Sequence, residues 1–266
     1  MEKNFTFNKR LGQNFLSDVN LLQAIVDDAD VSCDDVVLEI GPGAGALTKE
    51  LAKVAKKVVA IEIDRRLEPI LQENLKDFSN IEIIFGDFLQ IANDVVQNLP
   101  ENFVVVANIP YYVTTPIIVF FLENRKCKSL TLTIQKEVAE RIVSKPNCKD
   151  YGSVSVISQA VADCKICRKI DKKMFFPVPD VDSAVLKMCF KNKHDIKDFS
   201  FFEKVVKNCF AMRRKTLSNN LKNTFAFRVP IEQVIESIGL SPSARSETLS
   251  IEQFVLLCDA IEKYAK

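Results

Sequence analysis

Short, nearly continuous apolar runs alternate with amphipathic segments over the first half of the chain. Five of these runs are only five or six residues long and are rich in β-branched side chains, which favours buried parallel strands. They are Val36–Ile40, Lys57–Glu62, Ile81–Phe85, Phe103–Ala107 and Leu130–Ile134. Strands that alternate with helical segments in this way predict a doubly wound α/β fold with a mostly parallel sheet.

The pattern changes after these strands. Ser183–Phe190 alternates in polarity, which predicts a late antiparallel strand at the end of the sheet. A charged stretch follows, and beyond it four segments have helical periodicity: Phe199–Phe210, Arg213–Leu221, Ile231–Ile238 and Ile251–Tyr264. We therefore predict an α/β domain over residues 1–195, with an N-terminal arm over 1–16, and a small all-α domain over 196–266.

Composition excludes several classes of protein. No apolar stretch reaches the roughly 18 residues of a membrane span, and the N-terminus lacks the apolar block of a secretory signal. Of the eight cysteines only Cys164 and Cys167 are close together, and His194 is the single histidine. We therefore expect a soluble cytoplasmic protein with free thiols and without a metal site or a membrane partner.

Positive charge is concentrated near the C-terminus. The net charge of the whole chain is only +1, which gives no general argument for a polyanionic partner. The segment from Glu203 to Arg228, however, has one acidic residue, Glu203, and seven basic residues: Lys204, Lys207, Arg213, Arg214, Lys215, Lys222 and Arg228. This segment predicts a localised contact with a polyanion.

Three glycines, Gly41, Gly43 and Gly45, follow the first predicted strand and precede its helix. Glycine allows the backbone to turn tightly and to approach a ligand closely. Glu62 ends the second strand, about where a carboxylate meets ribose hydroxyls in nucleotide-binding folds. Gly41, Gly43 and Ala46 also fit the dinucleotide pattern, so a NAD-dependent oxidoreductase remains an alternative at this point.

Two acidic residues favour S-adenosylmethionine over a dinucleotide as the ligand. Glu39 precedes the first glycine by two residues, where a carboxylate would repel a pyrophosphate held at the helix N-terminus. S-adenosylmethionine has no phosphate, and its sulfonium and ammonium groups favour acidic surroundings. Asp87 follows the third strand and could accept a hydrogen bond from an adenine amino group. The alternative for Asp87 is a turn residue after Gly86.

The tetrapeptide Asn108-Ile109-Pro110-Tyr111 directly follows the fourth strand. Ligands bind at the carboxyl ends of strands in open α/β sheets. The asparagine amide could accept hydrogen bonds from an exocyclic amino group, and the aromatic ring could stack on a nucleobase. A simple strand-ending turn is the alternative. The ordered set of glycines, two acids and this tetrapeptide is a stronger signal than any member alone.

Over nearly its whole length the chain resembles the small-subunit ribosomal RNA adenine N6-dimethyltransferases. The resemblance implies a class I, Rossmann-like methyltransferase that uses S-adenosylmethionine. Leu11–Leu16 is similar to the family's N-terminal motif, which implies that Asn14 and Leu16 border the cofactor. The other cofactor-binding residues implied by the resemblance are Gly41, Gly43, Gly45, Glu62 at the ribose, Asp87 at the adenine, and Asn108.

Two downstream motifs also resemble the family. Phe175–Val185 resembles the motif whose first phenylalanine stacks on the target base, with Val178 interrupting the usual run of prolines. Phe210–Leu217 resembles the basic helix that opens the C-terminal domain. This second motif implies that RNA is contacted by Arg213, Arg214 and Lys215, with Lys9 and Arg10 extending the contact. A solvated helix face is the alternative for the three C-terminal residues.

The activity implied by the resemblance is dimethylation of two adjacent adenines near the 3′ end of 16S-type ribosomal RNA, with a role in ribosome biogenesis. The Asn108 side-chain oxygen and the Ile109 carbonyl would accept the amino hydrogens. Tyr111, held by Pro110, and Phe175 would enclose the base; the motif favours Tyr111 over Tyr112. The implied partner is ribosomal RNA in a pre-30S-like particle, and we expect a monomer.

Two alternatives share the same fold. A large-subunit ribosomal RNA adenine methyltransferase is disfavoured by the motif at Phe210–Leu217. A non-catalytic RNA-binding assembly factor is disfavoured because the three glycines and Asn108 are all present.

Overall fold

The computed structural model describes residues 14–222 and 224–264. Lys9, Arg10 and the first residues of the Leu11–Leu16 motif lie outside the described residues. Contacts divide the chain into two units. Unit 1 comprises the residues up to Ala139 together with Lys165–Phe190, and unit 2 comprises Glu140–Cys164 together with the residues from Lys191 onward.

The strands of the described chain form one seven-stranded sheet and one small two-stranded sheet. The strands are Phe15–Leu16 (β1), Val36–Ile40 (β2), Lys57–Glu62 (β3), Ile81–Phe85 (β4), Val104–Asn108 (β5), Ser129–Gln135 (β6), Ala162–Ile170 (β7), Phe175–Phe176 (β8) and Ser183–Phe190 (β9). The large sheet has the order β4-β3-β2-β5-β6-β9-β7, and β1 pairs with β8. Its first five strands are mutually parallel, as the buried apolar runs predicted.

The prediction for the antiparallel strand was correct in direction and wrong in place. Ser183–Phe190 (β9) runs antiparallel to β6, but it lies between β6 and β7 rather than at the sheet's edge. The outer strand β7 was not predicted. Its residues are mostly half-buried and include two lysines and an arginine, as expected of an edge strand rather than a central one.

Among the described residues, five α-helices lie wholly in unit 1: the first precedes the parallel strands, and each of the other four follows one of them. They are Val19–Ala29 (α1), Ala46–Val54 (α2), Glu68–Leu75 (α3), Phe88–Asn98 (α4) and Thr114–Glu123 (α5). Asp18 caps α1 by accepting a hydrogen bond from the Leu21 amide at 2.9 Å. Satisfying such free amides stabilises a helix by about 1 kcal/mol. Buried apolar side chains of α1, α2, β2 and β5 pack together in one hydrophobic core cluster.

Unit 2 is largely helical. Lys136–Ile142 (α6) crosses into it, and it contains Ser153–Val161 (α7), Phe199–Cys209 (α8), Leu217–Leu221 (α9), Ile231–Glu236 (α10) and Ile251–Tyr264 (α11). Tyr151 is buried, and its hydroxyl donates to the Leu249 carbonyl at 3.0 Å. No helix within the described residues is long and apolar enough to cross a membrane.

The division into units differs from the single boundary predicted near residue 195. Segment 140–164 belongs to unit 2 because α7 packs against α8 and α11. Unit 2 resumes at Lys191, where the amide of that residue donates to the Val161 carbonyl at 2.9 Å. The sequence pattern could not reveal this division, because α7 follows the strand–helix alternation without a break.

Candidate functional site

A cavity of about 660 Å³ opens in unit 1 at the carboxyl ends of the parallel strands. Its walls include the residues that follow β2, β3, β4 and β5. The chain leaves β2 toward β3 on one side and returns at β5 on the other side, so the cavity lies at the topological switch point of the sheet. Its volume is typical of small-molecule and cofactor sites.

The glycine loop supplies one wall of this cavity. Gly41 and Gly43 have φ angles of +73° and +60°, which L-amino acids with side chains rarely adopt. A Cβ atom at Gly43 would also lie 2.7 Å from the Phe15 ring. Gly45 does not line the cavity; it precedes α2 and is packed against Leu75 of α3.

Glu62 closes β3 beside the glycine loop and is buried. Its carboxylate accepts hydrogen bonds from the Gly43 amide at 3.0 Å and from the Asp64 amide at 2.8 Å. Burial raises the pKa of Glu62, whereas these two amides lower it. Glu62 therefore fixes the glycine loop and also lines the cavity.

Glu39 is the second buried carboxyl group of the cavity. Its Oε2 atom is buried and has no hydrogen-bond partner among the described residues. Burial raises the pKa of Glu39 to about 8; the nearby Thr48 side chain lowers it, and repulsion from Glu62 raises it further. A buried, unpaired acceptor of this kind is expected to meet a donor or a cation.

Asp87 lines the cavity and also caps α4. Its Oδ1 atom accepts from the Leu89 amide at 3.0 Å, and Oδ2 accepts from the Gln90 side chain at 3.3 Å. Asp87 therefore caps the turn at the start of α4 and also faces the cavity. The carboxylate retains further lone pairs that a ligand donor could use.

Asn108 ends β5 at the edge of the cavity. Its side-chain nitrogen donates to the Asn14 carbonyl at 3.0 Å, which leaves the amide oxygen and the second N–H of the side chain outside this bond. Ile109 is buried and does not line the cavity, whereas Pro110 lines it.

The two tyrosines that follow occupy different positions. Tyr112 lines the cavity and is 58% exposed. Tyr111 does not line it; the Tyr111 hydroxyl shares a hydrogen bond of 2.7 Å with the Ser183 hydroxyl. The expectation that the Tyr111 ring faces the target base stays a prediction, and this ring lies outside the cavity that contains the glycine loop.

The Phe175 ring is buried in the core, in a cluster that includes Leu16 and Val185. In β8 the neighbouring Phe176 is the exposed ring, with 61% of its surface accessible. Antiparallel pairing with β1 explains the difference, because it places Phe175 opposite the buried Leu16 and Phe176 opposite Phe15. The expected exposure of Phe175 to a target base is therefore not present in this conformation.

Seven of the eight predicted cofactor residues line the cavity: Asn14, Leu16, Gly41, Gly43, Glu62, Asp87 and Asn108. Sequence reasoning missed the apolar residues beside them. Ile63 and Leu89 line the cavity and are 47% and 43% exposed. The available signal was an apolar residue directly after the acidic end of β3 and another two positions after Asp87.

The predicted basic helix is a turn. Arg213, Arg214 and Lys215 are exposed and lie between α8 and α9, which begins only at Leu217. The Thr216 hydroxyl caps α9 by accepting from the Asn219 amide at 3.4 Å. Arg213 lies 3.7 Å from Glu247, so part of its charge is offset within unit 2.

The eight cysteines are free thiols. Within residues 14–222 and 224–264, no group of three or more potential ligands from His, Cys, Asp and Glu is placed to hold a metal ion.

Comparisons with known proteins agree with the motifs. The family model "Ribosomal RNA adenine dimethylase" matches residues 4–263. A ribosomal RNA small subunit methyltransferase A of Clostridium botulinum is 49% identical over 97% of this chain and 94% of its own length. A protein of the same name from Clostridium perfringens is 46% identical over 98% of this chain and 93% of its own length.

Solved structures show the same fold. A dimethyladenosine transferase from Plasmodium falciparum superposes with a TM-score of 0.80 and 26% identity, covering 94% of this chain and 98% of that one. The 23S rRNA methyltransferase ErmE superposes with a TM-score of 0.72 and 30% identity, covering 94% of this chain and all of its own. The predicted Rossmann-like fold and family resemblance are confirmed, and the chain belongs to the ribosomal RNA adenine dimethylase family of methyltransferases.

Proposed function

We propose that this protein transfers methyl groups from S-adenosylmethionine to the N6 atoms of two adjacent adenines near the 3′ end of 16S-type ribosomal RNA. The observation that carries the proposal is the position of Asn108, an amide acceptor at the edge of a cavity lined by glycines and buried acids. The names of the two clostridial relatives support the small subunit as the source of the RNA.

The cavity residues fit S-adenosylmethionine. The buried Oε2 atom of Glu39 has no described partner and would suit the cationic end of this cofactor. Gly41 and Gly43 would admit it without side-chain clashes, Glu62 would meet the ribose hydroxyls, and Asp87 the adenine amino group. When bound, the cofactor supplies an activated methyl group together with its own leaving group.

The role of this chain toward the target adenine is electrostatic. The exocyclic nitrogen of adenine is a weak nucleophile because its lone pair is delocalised into the ring. The Asn108 side-chain oxygen and the Ile109 carbonyl would each accept an amino hydrogen, which favours a more electron-rich nitrogen and stabilises the positive charge that develops there. No strong base is needed for this step, because the nitrogen becomes cationic and acidic when it gains the methyl group and then releases its proton to water.

Aromatic stacking would hold the adenine once it leaves its own helix. Tyr111, after Pro110, is proposed as one ring of this contact, and each ring contact is worth about 1–3 kcal/mol. Phe175 is proposed as the second ring. Because Phe175 is packed with Leu16 and Val185, its contact with a base requires the ring to leave the core when RNA binds.

RNA is proposed to meet the exposed turn at Arg213, Arg214 and Lys215 in unit 2, with Lys9 and Arg10 as further contacts. Arginine and lysine on an exposed turn can reach phosphates without reading the sequence. We propose that the partner is ribosomal RNA in a pre-30S-like particle in the cytoplasm, and that the protein acts as a monomer without a metal.

The test is mass-spectrometric mapping of N6-dimethyladenosine in both ribosomal RNAs, with and without this protein. We expect two adjacent dimethylated adenines near the 3′ end of the small-subunit RNA, lost on deletion and restored by the intact gene. The likeness to ErmE makes large-subunit methylation the second candidate, and modification of that RNA would favour it. Unchanged methylation of both RNAs would favour a non-catalytic assembly factor.

A further inference from the structure

Ser183 lies at the ligand-binding edge of the sheet because of the direction of its strand. β9 is antiparallel to β6, so the first residue of β9 lies beside the last residue of β6, Gln135. The Lys136 amide, donating to the Asp182 carbonyl at 3.0 Å, holds the two chains together at this edge. Asn108 ends β5 at the same edge, opposite Thr133 of β6.

The Ser183 side chain has a single described partner across this edge. The residue is fully buried, and its hydroxyl shares the 2.7 Å hydrogen bond with the Tyr111 hydroxyl. Burial raises the pKa of the Tyr111 phenol, and either hydroxyl can be the donor in this bond. The Tyr111 hydroxyl is thereby hydrogen-bonded to β9, and the backbone of Tyr111 continues directly from the segment that contains Asn108 and Pro110.

The bond restrains the hydroxyl end of the Tyr111 side chain. Tyr111 begins a short 3-10 turn of three residues between β5 and α5, and such a turn has few backbone hydrogen bonds of its own. Without a partner for the hydroxyl, rotation about the side-chain torsions would be restrained by packing alone. The hydrogen bond fixes both the tilt of the ring and its distance from the strand end.

We propose that Ser183 is a positioning residue for methyl transfer, acting through Tyr111 to hold the aromatic wall of the base site in register with the Asn108 amide. This inference rests on the proposed function. Ser183 is not a catalytic residue, because it is fully buried and its hydroxyl is bonded to the Tyr111 hydroxyl. Its effect belongs to the rate of transfer and not to cofactor binding.

The second methyl transfer should depend most on this bond. After the first transfer the target nitrogen carries a methyl group, so it must re-enter a narrower space with its lone pair correctly aligned. A Tyr111 ring that is held loosely would still align the unmethylated amino group, but it would align the bulkier monomethylated nitrogen less well. Loss of the Ser183 hydroxyl should therefore increase the ratio of monomethyl to dimethyl product.

A double-mutant cycle with Ser183→Ala, Tyr111→Phe and the combined variant tests this proposal. Single-turnover rates are measured on immature small-subunit particles, together with S-adenosylmethionine affinity and melting temperature. We expect each single variant to be about tenfold slower, the combined variant to be no slower than either, and cofactor affinity to be unchanged. Monomethyladenosine should accumulate in all three variants.

Ser158→Ala is the matched control. It also removes a buried serine hydroxyl, but that hydroxyl, unlike the one of Ser183, has no described hydrogen-bond partner. Its rate and product ratio should equal those of the parent protein. A combined variant that is about a hundredfold slower, or single variants with the parent's rate and product ratio, would overturn the role of Ser183. Absence of methyl transfer by the parent protein would overturn the proposed function itself, and this inference with it.

Discussion

The side-chain nitrogen of Asn108 donates a hydrogen bond of 3.0 Å to the backbone carbonyl of Asn14. The contact joins the end of β5 to the residue that precedes β1, 94 positions earlier in the chain. Because a carbonyl can only accept, it orients the amide of Asn108 and directs the side-chain oxygen elsewhere. The orientation that the proposed chemistry requires is therefore set by the backbone, before any substrate binds.

Asn108→Asp should abolish methyl transfer nearly as completely as Asn108→Ala. The aspartate keeps an acceptor oxygen, but its other oxygen would face the Asn14 carbonyl and be repelled from it. We expect both variants to lose on the order of a hundredfold or more in single-turnover rate. Their affinity for S-adenosylmethionine, measured by calorimetry, should stay within a few-fold of the parent protein. Turnover near the parent's rate by the aspartate variant would contradict the orienting role of Asn14.

Gly43→Ala should lower cofactor affinity and stability together. The new methyl group would meet the Phe15 ring at 2.7 Å, and the backbone at φ +60° is already strained for alanine. Gly239→Ala is a matched control, because that residue has φ +76° and no atom within 4 Å of an added Cβ. We expect Gly239→Ala to cost about 1 kcal/mol of unfolding free energy without any loss of cofactor binding. Gly43→Ala should exceed it in both measurements, and equal effects would contradict the clash.

The parallel part of the fold could be predicted from the sequence because local patterns determine it. Each buried strand is a nearly continuous apolar run, and β3 and β5 carry a polar side chain at their last position, Glu62 and Asn108. The place of β9 could not be predicted. Its insertion between β6 and β7 depends on which strand packs outside it, and that is decided by contacts distant in sequence.

The sequence indicated which residues line the cavity where the backbone conformation decides their position. It was less informative where the packing of side chains decides it. Gly41 and Gly43 line the cavity because a ligand-facing loop needs positive φ angles there. The burial of Phe175 depends on its register with β1, which the sequence motif does not encode. The basic helix failed as a prediction because the Thr216 cap begins α9 after the charges rather than before them.

Arg214→Gln and Lys215→Gln should weaken RNA binding by reducing its electrostatic part. Both side chains are exposed on the turn before α9, whereas Arg213 lies near Glu247 and should contribute less. Each lost phosphate contact should reduce the slope of log affinity against log salt by about 0.7–0.9. Lys197→Gln, at an exposed lysine paired with Asp259, is the control and should leave the slope unchanged. Slopes equal to the parent's in all variants would place the RNA contact elsewhere.

The two buried carboxyl groups of the cavity, Glu39 and Glu62, should make cofactor binding depend on pH. Burial and the neighbouring Glu62 raise the pKa of Glu39 to about 8, far above the ordinary value of 4.5. The folded protein therefore holds a proton that the unfolded chain has released between about pH 5 and pH 8. Stability of the cofactor-free protein must fall as pH rises through this window, because the unfolded state binds fewer protons there.

Glu39→Gln should remove much of this pH dependence. In the parent protein a cationic cofactor favours the ionised carboxylate, so binding should release a proton and tighten as pH rises from 6 to 8, by at most about tenfold per unit. The glutamine variant should bind more weakly at pH 8 and show a flatter profile, since it has no carboxyl proton to release. Calorimetry in buffers of different ionisation enthalpy measures the proton release directly. Identical proton release by the two proteins would exclude Glu39 as the group that meets the cofactor's charge.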